Sequence, residues 1–409
     1  MSLAFRERHR HWPRRLALAL CLLAAPAFAQ AAPPPDPGAP LPYVIGLHEA
    51  YLTPQYWAAR LDNADAPILD RAQIEAQNAR MRAQDSHIQD IATLPAQLDA
   101  ATVRASITAL SSWPTRALYN DKGQAIAPAL RSTIEANLGL DAIPTQVAPQ
   151  YGLVVKRAAL RTFPTRERVF STVGDTDIDR FQESALFPGD KVAVVHRSTD
   201  GRWLFVHSER YSAWIEADAI ASGDKATVLG YGAKGPYRIV TGATAQTAHT
   251  PEEPRVSRLQ LDMGVRLPVL ADWPASEPVN GQQAHASWVV QLPVREADGR
   301  LKLVPALLPR SQDTAADYLP LTRACCCSRA SSSSANATAG ATTTTPATAA
   351  VSSPRSTAAS ACCCRAIPAR RRSVRRWTAC RSPARTARRC ATVPSPACRW
   401  ATWSTFPVM

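Results

Sequence analysis

Between Ala29 and Ala324 the chain has no cysteine at all. That excludes a disulfide framework, a thiolate zinc site and a cysteine nucleophile from most of its length. Charge of one sign is missing elsewhere. From residue 325 to 409 there are thirteen Arg but no Asp, Glu or Lys, and also no Leu, His, Gln or Tyr and a single Gly. A segment without those residues cannot assemble an ordinary apolar core. The formal charge of +14 therefore belongs almost wholly to that segment, because residues 1–324 hold 34 basic and 33 acidic residues. A basic overall composition gives no reason to expect a specific nucleic-acid partner, and non-specific adhesion of the Arg-rich end to polyanions needs only counterion release.

What is present divides the 409 residues into several units. Arg6, Arg8, Arg10, Arg14 and Arg15 precede the apolar run Leu16 to Ala25, and Ala27-Phe28-Ala29 supplies a small-x-small site. This reads as a signal peptide over 1–29, cleaved after Ala29, which places the protein in the periplasm or outside the cell. The apolar run is too short for a membrane span, so none is expected after cleavage. Residues 30–42 form a Pro-rich leader.

From 43 to 148 the pattern is helical. Asp70 is an N-cap candidate, Ile68, Ile74 and Met81 can share one stripe, and Asp99 to Leu110 and Pro128 to Leu138 read as short helices. After Tyr151-Gly152 short apolar runs take over: Leu153 to Val155, Val192 to His196, Trp203 to His207 and Ala213 to Ile215. Turn signals at Pro188-Gly189-Asp190 and Thr199-Asp200-Gly201 separate them. A small β-barrel is expected over 149–222 and a second over 223–316. Candidate strands of the second are Tyr237 to Val240, Ser287 to Leu292 and Leu301 to Val304, with Ala297-Asp298-Gly299 as a hairpin turn. The fold class is α+β and multidomain: a small helical domain, two SH3-like barrels and a disordered low-complexity tail.

The runs Arg161-Thr-Phe-Pro-Thr165, Asp179-Arg-Phe-Gln-Glu-Ser184, His196-Arg-Ser-Thr-Asp-Gly-Arg-Trp203 and Tyr211-Ser-Ala-Trp214 resemble the first bacterial SH3-like domain of secreted NlpC-type cysteine peptidases. Trp57-Ala-Ala-Arg60 and Ile74-Glu-Ala-Gln-Asn78 resemble the helical stabilising domain that precedes it. Leu261-Asp-Met-Gly264 and Tyr318-Leu-Pro-Leu-Thr322 are similar to the second SH3-like domain and the lead-in to catalysis. The resemblance spans about 43–324. It implies action on peptidoglycan stem peptides by a Cys–His pair, with no cofactor. It also implies that the acidic loop Asp175, Asp177, Asp179, Arg180 and Glu183, with Trp214, faces the free amino end of the stem peptide. A solvated loop and a core tryptophan are the competing readings of the same residues.

The catalytic domain is due after Thr322, where Cys325-Cys-Cys327 and serine and threonine runs stand instead. Read one base out of register, Ala347 to Thr357 permit Gly-His-Cys-Ser-Gly-Phe-Val-Ser-Glu-Val-Tyr, and Cys398 to Met409 permit a run ending in His. Ala335 to Ala341 and Ala361 to Ala369 fall into the same order. Residues 317–409 are therefore read as a lead-in followed by a frameshifted, disordered remnant. The nucleophile would fall at Ala349 and the base at Met409, so no catalytic residue is assigned and the chain is expected to be inactive. A stand-alone peptidoglycan-binding or scaffolding protein is the alternative. His196 and His207 lack a third ligand, so no metal site is assigned.

Overall fold

The computed structural model describes residues 45–340, with side chains described to 331. The signal peptide and the Pro-rich leader lie outside the described residues, as do 341–409 with Ala349 and Met409.

The N-terminal part is helical: α1 (Pro54–Ala58), α2 (Arg71–Gln84), α3 (Ala100–Leu110) and α4 (Pro128–Asn137). Capping chemistry sets two of the starts. The Asp70 carboxylate accepts the Gln73 backbone N–H at 2.8 Å while the Gln73 side chain accepts the Asp70 N–H at 2.9 Å, a reciprocal capping box. Asp99 accepts the Thr102 backbone N–H at 2.7 Å. Pro128 starts α4 at the position where its missing N–H costs nothing. The stripe expected along α2 is corrected in part: Ile74 is buried, but Ile68 is exposed and Asn78 takes the next inward position.

β1 (Leu98–Asp99) and β2 (Gln146–Val147) form a short ladder. They lead into a seven-stranded antiparallel sheet of β3 (Gln150–Val154), β4 (Ala158–Arg161), β5 (Gln182–Leu186), β6 (Lys191–Arg197), β7 (Trp203–His207), β8 (Ala213–Glu216) and β9 (Ile220–Ser222). The spatial order is β5-β4-β8-β7-β6-β3-β9. The β5–β6 connection contains Gly189, whose φ of +86° and close approach to Tyr231 leave no room for a Cβ. The helices and this sheet bury one continuous core. Val103, Ile107 and Ile134 from the helices pack with Leu160, Phe205, Trp214 and Ile215 from the strands. The boundary near 148 is thus a change of secondary structure and not a gap in packing.

After α5 (Lys225–Gly230) come β10 (Tyr237–Val240), β11 (Thr244–Gln246), β12 (Gln260–Asp262), β13 (Arg266–Pro268), β14 (Ser287–Arg295), β15 (Leu301–Pro309) and β16 (Thr314–Ala315). They make three separate ladders, β13-β10-β16, β11-β12 and the nine-residue hairpin β14-β15. Their core of Val240, Leu261, Leu267, Val290 and Leu308 reaches across to Phe187 of the first sheet region.

Within the stretch expected to be disordered from 317 onward, the structure has α6 (Arg323–Gly340), and 341–409 lie outside the described residues. Thr322 starts it, its hydroxyl accepting the Cys325 backbone N–H at 3.1 Å. Alanines favour the helical backbone, and the helix packs on α1. The N-terminal segment ties down the approach to it. The Ile68 N–H donates to the Leu321 carbonyl at 2.8 Å, the Ala324 N–H to the Ala64 carbonyl at 2.9 Å, and Arg71 pairs with Asp317 at 2.9 Å. No helix among the described residues is long and apolar enough to cross a membrane.

Candidate functional site

The residues singled out in the acidic loop separate into buried and accessible groups. Asp179 is buried. Its Oδ2 accepts from the Arg161 guanidinium at 2.8 Å, and its Oδ1 accepts the backbone N–H groups of Val169 (3.2 Å) and Phe181 (3.0 Å). Those contacts occupy the carboxylate and fasten the loop to β4. Arg180 donates to the Ser171 hydroxyl at 2.9 Å. Asp175 and Asp177 are exposed, and the Asp175 carboxylate accepts the Asp177 N–H at 3.3 Å, a local turn.

Glu183 is different. The β4–β5 register pairs Leu160 with Ser184 and Arg161 with Gln182, so Glu183 is the extra residue of a β-bulge. Bulges at a sheet edge re-aim a side chain, and β5 is the edge strand. The exposed Glu183 carboxylate accepts the Thr162 hydroxyl at 2.7 Å on Oε1 and the Tyr211 hydroxyl at 3.3 Å on Oε2. Two neutral donors leave its negative charge intact and lone pairs free for a third donor.

Trp214 is fully buried, so it forms core and not ligand surface. It nonetheless bears on the site through a relay. Its indole N–H donates to the Ser111 hydroxyl at 3.1 Å, and that hydroxyl donates to the Thr162 carbonyl at 2.7 Å. Thr162 is thereby fixed beneath Glu183.

Tyr211 is held from the other side. Its ring stacks on His87 with centroids 5.2 Å apart and planes 17° from parallel. The buried His207 ring donates from Nδ1 to the Ser212 hydroxyl at 2.8 Å, which donates to the His87 carbonyl at 3.0 Å. Burial pushes the His207 imidazole down to about 4, so it is neutral at pH 7. His196 donates from Nε2 to the Leu138 carbonyl at 2.9 Å, and burial lowers it too. Both rings are committed to the fold. Among the described residues no group of three or more His, Cys, Asp or Glu is arranged to hold a metal ion.

Tyr211, Thr162 and His87 carry no functional assignment from sequence. Tyr211 and Thr162 lie inside the runs that carry the resemblance, which was the available signal. His87 has none, because only folding brings it to Tyr211.

A family model described as an SH3 domain of the SH3b1 type matches residues 168–216, the stretch from the acidic loop through β8. Among solved structures, the chain is similar to an NlpC/P60 endopeptidase from Photobacterium damselae subsp. piscicida. The TM-score is 0.51 and the identity 16%, covering 66% of this chain and 59% of that one. The likeness is one of fold, and this chain spans less than two thirds of that protein's length. No curated protein matches the sequence. The chain therefore carries a bacterial-type SH3 domain, in a fold similar to part of that endopeptidase's.

Proposed function

We propose that this protein is the non-catalytic, peptidoglycan-directed part of an NlpC-type cell-wall peptidase, exported to the envelope and inactive as a hydrolase. In this reading 43–148 is the helical stabilising domain, and 149–222 and 223–316 are two SH3-like units. The last 85 residues are a frameshifted catalytic remnant. Glu183 takes the free ammonium group at the end of a stem peptide, with Tyr211 beside it. Asp175, Asp177 and Arg180 border that end of the loop, while Asp179 and Trp214 serve it as framework.

One observation carries the reading: an exposed carboxylate on an SH3 edge-strand bulge, held by two hydroxyl donors and, among the described residues, by no cation. An ammonium group supplies the missing partner with a charge-assisted hydrogen bond. The chemistry of cleavage has no comparable support, since Cys–His hydrolysis needs a thiolate and an imidazole in contact. Among the described residues the cysteines are Cys325, Cys326 and Cys327. Burial raises the Cys325 and Cys327 thiols, the opposite of what a nucleophile requires.

The test is a titration of the isotope-labelled full chain with the tripeptide L-alanyl-γ-D-glutamyl-diaminopimelate, free and N-acetylated. The free peptide is expected to shift the Thr162, Glu183 and Tyr211 amides. N-acetylation or Glu183→Gln is expected to weaken that response at least tenfold, and no cleavage product is expected. An N-acetylated peptide that perturbs these amides equally, or thiol-reagent-sensitive turnover, would overturn the reading.

A further inference from the structure

Among the described residues a hollow lies away from Glu183. It is a cleft of about 880 Å³ between α4 and three turns of the first β region, lined by neither Glu183, Thr162, Tyr211 nor His87. Leu130, Ile134, Pro164 and Trp203 supply apolar lining. Around them stand four Arg (166, 197, 202 and 295) and four acids (Glu167, Asp200, Glu216 and Asp218).

Formal charge balances in this lining, but hydrogen-bonding capacity does not. Glu216 is ion-paired with Arg166, and Asp218 pairs with Lys156 at 2.8 Å. Asp200 accepts the Ser198 hydroxyl at 2.6 Å and the Arg202 backbone N–H at 2.9 Å. Three of the four carboxylates are thus occupied. Arg166 is spent on Glu216, but the guanidiniums of Arg197, Arg202 and Arg295 are not fully used. Arg197 donates to the Gly201 carbonyl at 2.9 Å, and Arg295 donates from Nε to the Ile220 carbonyl at 3.1 Å. Each guanidinium has five N–H donors, so both keep donors in reserve. Arg202 is itself exposed and acts on Asp200 through its charge, with no side-chain hydrogen bond between the two among the described residues. A cleft with an apolar floor and unspent guanidinium donors is complementary to a ligand that brings its own carboxylates, which Arg binds in a bidentate fork.

We infer that this cleft is a second ligand site, binding a short peptide that carries at least two carboxylates, with Arg197 and Arg202 as its principal contacts. The exposed Glu167 carboxylate offers the ligand one acceptor in return. The site is independent of the amine-reading role given to Glu183, and only the choice of probe borrows from that reading.

The N-acetylated tripeptide separates the two, because it has no free α-amine for Glu183. Titrated into the labelled full chain, it is expected to shift the amides of Arg197 to Trp203. Arg197→Gln with Arg202→Gln is expected to weaken that binding at least tenfold, as is amidation of the peptide's carboxylates. Glu183→Gln leaves it unchanged. Both arginines lie on the surface, so the double variant folds, which an unchanged thermal midpoint confirms. No response in the 197–203 amides at millimolar peptide, equal binding of the amidated peptide, or full binding by the double variant would each overturn the inference. None of these outcomes touches the response of Glu183 to the free amine.

Discussion

Two Arg–Asp pairs, one in each β region, have similar separations and opposite surroundings. In the seven-stranded region Arg161 and Asp179 lie 2.8 Å apart with side chains 7% and 6% exposed. At the tip of the β14–β15 hairpin Arg300 and Asp298 lie 2.6 Å apart with side chains 83% and 48% exposed. The first pair fastens a long loop over an apolar core and shares its carboxylate with two backbone N–H groups. The second decorates a turn. Identical residue types therefore carry very different weights, and solvent decides which. Removing one partner of a buried pair strands the other charge in low dielectric, whereas water replaces an exposed partner at almost no cost.

Three substitutions or conditions sharpen that contrast. The largest effect is expected from Asp179→Asn, which leaves Arg161 uncompensated; it should lower unfolding stability by about 3–5 kcal/mol in denaturant titration. A loss below 1 kcal/mol would mean that the pair does not organise the loop. Next comes pH. His207 is buried neutral, so the unfolded chain, titrating near 6.5, takes up a proton before the folded chain, which titrates near 4. Stability is thus expected to be level above about 6.5 and to fall as pH drops towards 4, by roughly 3 kcal/mol in all. His207→Gln should flatten that slope. The smallest effect is expected from Arg300→Ala, about 0.5 kcal/mol or less in the same titration. A loss as large as that of Asp179→Asn would erase the distinction between the two regions.

The same contrast explains how much could be read in advance. Trp203 to His207 and Tyr237 to Val240 are strands at the expected residues, and the hairpin turns at Ala297-Asp298-Gly299, because apolar runs bounded by turn residues leave few alternatives. Asp70 caps its helix as expected, and the helix expected from Asp99 to Leu110 starts at Ala100 with Asp99 as its cap, since capping is local chemistry. β4 and β5 are not among the strands that the sequence predicts. Arg161, Gln182 and Glu183 interrupt their apolar pattern, and they do so because the buried pair and the bulge lie there. The acidic loop drew attention as one group. It took packing to sort Asp179 from Glu183, and to bring His87 beneath a tyrosine 124 positions along the chain. The sequence does not predict α6, because a run of Cys, Ser and Ala has no amphipathic stripe to announce it; a capping threonine and the surface of α1 stand in for one.

Composition and local pattern by themselves determined where helices give way to strands, where the turns fall and which stretch resembles an SH3 domain. Those properties depend on backbone propensity and on neighbours a few residues apart. Tertiary structure alone decided which of several similar carboxylates faces solvent, which tryptophan is core, and that four arginines gather around one cleft. Desolvation and hydrogen-bond pairing are settled by residues distant in sequence, and those meet only when the chain folds.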